Sequence, residues 1–104
     1  MGTDDRRSSV LLAIQAALLG EVSSKLRAVS VSWTETNIHF DCYFDGDVSD
    51  EDRDSMSCVE TELLAMYPES HHVSHSIHRV DYPVPLPQTF ERVFRRREFP
   101  FVPS

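Results

Sequence analysis

Four of the five histidines stand within HHVSHSIH at residues 71–78, and they are the side chains best suited to chemistry, because neutral imidazole is a favoured zinc ligand. His71, His75 and His78 converge only on a helix, where spacings of three and four return to one face. The local alternation is that of a strand. On a strand, His72 and His78 share a face but stand about 20 Å apart, too far for one ion. With no thiolate or carboxylate at ligand spacing, no metal is expected. The stretch DCYFDGDVSDED from Asp41 invites a calcium loop, since Gly46 falls sixth. Tyr43 then occupies a ligand position, Asp52 stands where a bidentate Glu is required, and no helix precedes, so a solvated turn and helix start is the better reading. Catalysis by a nucleophile finds no support: there is no GxSxG elbow and no cysteine with a recognisable base partner. Gly2, Gly20 and Gly46 are too few to cradle a phosphate. No catalytic residue and no cofactor is assigned. Paired carboxylates abound, but surface acids form an acid/base pair only in a cleft.

Charge is the stronger signal. The chain of 104 residues carries a net charge of −7, and between Asp41 and Glu62 nine carboxylates face Arg53 alone. Such a concentrated field repels phosphate backbones and steers cationic partners inward. It outweighs the opposite hint from Arg92, Arg95, Arg96 and Arg97 beside Phe94 and Phe99, whose arginines are expected to be solvated on an edge strand or paired with the acidic helix. Nucleic acid is therefore not an expected partner. No run of about 18 apolar residues exists to span a bilayer, and the opening MGTDDRRSS is polar. A cytoplasmic chain without membrane contact is expected, with Cys42 and Cys58 reduced.

The elements that must position these groups follow from periodicity. Hydrophobic content of 40% and a length of 104 residues fit one domain over residues 1–104, with loose ends at 1–8 and 99–104. Residues 9–27 recur near helical spacing through Val10, Ile14, Ala17, Leu18, Val22 and Leu26, with Ser8 or Ser9 as the N-cap and a bend or end at Gly20. Val29, Val31 and Trp33, then Ile38, Phe40, Cys42 and Phe44, alternate as a hairpin about a turn at Thr34 to Asn37. Ser49 followed by Asp50, Glu51 and Asp52 opens a second helix, whose stripe is Met56, Val59, Leu63 and Met66, broadened by Cys58, Leu64 and Ala65. A third strand is expected over His71 to Asp81 and a fourth over Phe90 to Arg97, joined by an extended connection through Pro83, Pro85 and Pro87. The expected fold is α+β, in the order α-β-β-α-β-β, with a four-stranded antiparallel sheet and two helices packed on one face.

The segments LRAVSVSWTETNIHFDCYFDGDVSDEDRDSMSCVETELLAMYP, IHRVDYPVPLPQ and RVFRRRE resemble small bacterial immunity proteins of polymorphic or contact-dependent growth-inhibition toxin systems. They share a hairpin, an FDG turn, an acidic S-x-E-D helix start and an arginine-rich closing strand, over about residues 26 to 98. The histidine-rich third strand and the FPFVPS tail depart from that pattern. The resemblance implies a non-catalytic protein that blocks a basic cognate toxin, most often a nuclease, with carboxylates standing in for phosphates. On that reading Asp45, Asp47, Asp50, Glu51 and Asp54 form the partner-binding surface and Tyr43 supplies an aromatic anchor. A second copy of the chain is a further candidate partner. The alternative is a structural or regulatory subunit that self-associates or docks into a bacterial complex, and an enzyme with a carboxylate pair or metal-bound histidines comes third.

Overall fold

The computed structural model describes residues 3–88 and 91–98, with side chains from Arg6 onward. Helix α1 covers Thr3–Leu18 and buries Val10, Ile14, Ala17 and Leu18. It begins well before Ser8 and Ser9, which therefore lie inside it rather than capping it. Residues 3–8 are part of the helix. The helix stops because Gly20 adopts φ +83, a left-handed conformation open to glycine. Val22 is left 41% exposed, and Leu26 belongs to the next element instead of a helical stripe.

Strands β1 (Leu26–Trp33) and β2 (Asn37–Phe44) pair antiparallel, with Val29 opposite Cys42 and Val31 opposite Phe40. The Thr34 N–H donates to the Asn37 carbonyl at 2.8 Å and closes the hairpin. One face of the pair enters the core through Leu26, Val29, Val31, Ile38, Phe40, Cys42 and Phe44, each large side chain contributing about 1.5–3 kcal/mol on burial. A bulge between Leu26 and Ala28 interrupts the alternation.

Helix α2 (Asp50–Ala65) starts where expected, its Asp52 N–H donating to the Ser49 hydroxyl at 3.0 Å. Its buried stripe is narrower than its sequence suggests: Met56, Val59 and Leu63 enter the core, whereas Cys58, Leu64, Ala65 and the C-cap Met66 are exposed. Strand β3 (His72–Arg79) then pairs with β2 in parallel, Asn37 beside His72 and Phe44 beside Arg79. The sheet is thus mixed rather than antiparallel throughout. Length explains it: sixteen helical residues rise about 24 Å, close to the ~26 Å of an eight-residue strand. The helix therefore returns the chain to the level where β2 began, and β3 restarts in the same direction.

From Arg79 the chain crosses the sheet face opposite the helices, where Leu86 covers Ala28 and Tyr43, and the Tyr82–Pro83 peptide is cis. Strand β4 (Arg92–Arg95) pairs antiparallel with β1, giving the order β3-β2-β1-β4. It is shorter than the expected Phe90 to Arg97; Phe90 and the tail from Phe99 lie outside the described residues. The buried residues of both helices join one cluster with a single face of the sheet, so α1 and α2 lie on the same side.

Candidate functional site

The acidic segment divides into two parts of different character. The first is the turn after β2. Gly46 at φ +82 reverses the chain, and its N–H donates to Asp81 Oδ1 at 2.7 Å. Asp45 accepts from the Tyr82 N–H at 3.1 Å and from Arg96 Nη2 at 3.1 Å. Asp47 and Asp81 both accept from Arg79. Hydrogen bonds from Arg79 and from the Gly46 N–H hold the Asp81 carboxyl below its ordinary range. Each carboxylate of the turn is thus paired with one of the protein's own arginines, although Asp47 stays 91% exposed.

The second part is the start of α2, where Asp50, Glu51 and Asp54 are all exposed on the side turned away from the core. Among the described residues none of the three has an ion-pair or side-chain hydrogen-bond partner, while Asp52 beside them is buried. The helix N-terminus stabilises the charges of Asp50 and Glu51, and all three carboxylates face solvent. The structure therefore brings Asp50, Glu51 and Asp54 together as a free carboxylate surface, and holds Asp45 and Asp47 apart from it in clasped pairs.

Tyr43 occupies a different place. It lies on the sheet face opposite the helices, 7% exposed, stacked on His78 at 5.1 Å with the Arg92 guanidinium 5.5 Å from its ring centre. Burial, aided by Asp41, pushes its phenol up. In this position the ring serves the packing of the sheet and offers little surface to a partner.

The histidines are distributed by strand alternation. His75 points to the helix side, stacked on Phe40 at 5.2 Å with Nδ1 2.7 Å from Glu60 Oε1. On the opposite face, His78 Nε2 lies 2.9 Å from Asp41 Oδ1, and His39 bridges Ser74 and Ser76 at 2.8 and 3.2 Å. Among the described residues no group of three or more histidine, cysteine or carboxylate side chains is placed to hold a metal, nor is any helix long and apolar enough to cross a membrane.

Arg92 and Arg96 of the arginine-rich segment find their partners away from the exposed α2 acids. Arg92 donates to the Pro87 carbonyl at 2.7 Å, and Arg96 donates to Asp45, Glu98 and the Ser24 carbonyl. These bonds surround Arg27, a residue that strand alternation alone does not single out. The β1 bulge turns it into the interior, where its side chain is 0% exposed. It donates to both Glu98 oxygens at 2.7 and 2.9 Å and to the carbonyls of Val80 and Val84 at 2.8 and 2.7 Å. The Glu98 hydrogen bond raises the Arg27 pKa, and the same bond, with Arg96, lowers that of Glu98. The signal in the sequence was Glu98 itself, a lone carboxylate closing a run of three arginines.

With this geometry in place, comparison with known families gives one finding: residues 7–98 match the family model described as MafI2 immunity protein. No curated protein matches the chain.

Proposed function

Because the chain belongs to the MafI2 immunity protein family, we propose that it neutralises its cognate toxin by setting the carboxylates of Asp50, Glu51 and Asp54 against a basic surface of that toxin. The observation that supports this surface is the contrast within the acidic segment. Arg79 and Arg96 satisfy Asp47 and Asp45, whereas the three carboxylates at the start of α2 have no counter-ion among the described residues. Unpaired surface charge of one sign is what accelerates encounter with an oppositely charged partner.

The proposal extends to the toxin's chemistry. A nuclease binds a polyanion and so carries a basic cleft, which a row of solvent-facing carboxylates can occupy in place of phosphates. The encounter takes place in the cytoplasm, without nucleic acid or membrane as a partner, and the immunity protein acts by occlusion rather than catalysis. Affinity then depends on a few desolvated anchors within the charged rim. Tyr43 is poorly placed to be one of them, and Asp45 and Asp47 contribute by holding the turn that leads into α2.

The test combines Asp50→Asn, Glu51→Lys and Asp54→Lys in one variant. Cells producing the toxin are expected to lose protection, while the purified variant keeps its fold with a cost of at most about 1 kcal/mol per altered dipole contact. Full protection by a variant of unchanged circular dichroism refutes the assignment of this surface.

A further inference from the structure

Strand β3 forms one edge of the sheet. The N–H of His72 donates to the Thr36 carbonyl and that of Val80 to the Phe44 carbonyl, so in this parallel ladder the even-numbered residues turn their backbone groups toward β2. Val73, His75 and Ile77 turn theirs outward, and among the described residues nothing pairs with them. Exposed edges are ordinarily blunted by lysine, proline, a bulge or extreme shortness. This one is eight residues long, its register with β2 is unbroken, and it contains no lysine, proline or carboxylate.

The sequence of the edge also reads alike in both directions. From His72 to His78 it is HVSHSIH, with His75 at the centre, serines flanking it, aliphatic Val73 and Ile77 next, and a histidine at each end. A two-fold interface requires a surface complementary to itself, and an antiparallel pairing about His75 meets that requirement at every position. Val73 falls opposite the second copy's Ile77, Ser74 opposite its Ser76, and His72 opposite its His78. No like-charged acids meet across the strands.

We propose that β3 pairs with β3 of a second copy, antiparallel and centred on His75, joining two four-stranded sheets into one of eight strands. Val73, His75 and Ile77 exchange their outward N–H and C=O groups across the axis. The paired His72 and His78 are then at non-hydrogen-bonded positions, where facing side chains come closest. Both α2 helices, each packed over its own β3, lie on the same side of the joined sheet. This pairing concerns assembly alone and stands whether or not the carboxylates of Asp50, Glu51 and Asp54 contact the toxin.

Light scattering coupled to size exclusion tests it. The wild-type chain is expected at twice its mass of 11.9 kDa. His72→Lys with His78→Lys puts lysine opposite lysine twice and is expected to give a monomer of unchanged circular dichroism. His72→Glu with His78→Lys puts glutamate opposite lysine twice and is expected to restore the dimer. Amide exchange at Val73, His75 and Ile77 should be slow in the wild type and fast in the double-lysine variant. A wild-type monomer overturns the proposal, as does a double-lysine variant that stays dimeric. Protection of the three amides only when inactivated toxin is added overturns it too, and identifies a toxin strand as the occupant.

Discussion

Removing the Glu98 carboxylate leaves the Arg27 guanidinium in the interior with the Val80 and Val84 carbonyls and no directly bonded counter-charge. A buried pair broken on one side costs about 3–5 kcal/mol, so Glu98→Gln is expected to lower the urea midpoint sharply. The same pair makes stability depend on pH. Glu98 titrates below its ordinary 4.5 in the folded state, so its contribution is complete above that value and is lost as pH falls through the lower, folded one. Unfolding curves between pH 5 and 3 should show that loss in the wild type and a shallower slope in the Gln variant. The two cysteines separate as clearly. Burial, then the neighbouring Asp41, pushes the Cys42 thiol up to about 12, and its Sγ sits 3.2 Å from Met56 Sδ, whereas Cys58 is exposed on α2. A thiol reagent should label one site per native chain, and mass mapping should find it at Cys58.

Among the elements, the turn and cap that launch α2 carry the most local consequence. Ser49→Ala removes the acceptor for the Asp52 N–H and is expected to cost about 1 kcal/mol. Gly46→Ala meets no atom within 4 Å but forces alanine to φ +82, an expected loss of roughly 1–2 kcal/mol. Chemical denaturation reads both. The hairpin and the start of α2 were legible because alternation through Val31 and Phe40, and the Ser49 cap, are local signals. The direction of β3 was not, since alternation names the faces of a strand and says nothing of its polarity; only the match between the length of α2 and that of β2 carries that information. The onset of α1 was hidden because the sequence Asp4, Asp5, Arg6 and Arg7 shows no apolar period. Arg27 was hidden by a bulge, a backbone irregularity that hydrophobic pattern does not encode. Of the proposed surface, the acidity of the segment was plain from composition. Which carboxylates the protein keeps for itself depended on Arg79 and Arg96, contributed from 32 and 51 residues away.

At the scale of the molecule, a net charge of −7 makes the proposed association with a basic toxin surface a question of ionic strength. The Debye length shrinks from about 10 Å at 0.1 M salt to about 3 Å at 1 M. Stopped-flow mixing is expected to show an association rate that falls steeply with added salt while dissociation changes little, and a rate independent of salt would remove steering from the mechanism. The Arg27 latch has a consequence in time as well. The chain is made in order, and Glu98 emerges 71 residues after the arginine it neutralises. A ribosome that has delivered both helices and all four strands has still to deliver the carboxylate that Arg27 binds, so the latch closes only after β4 is made.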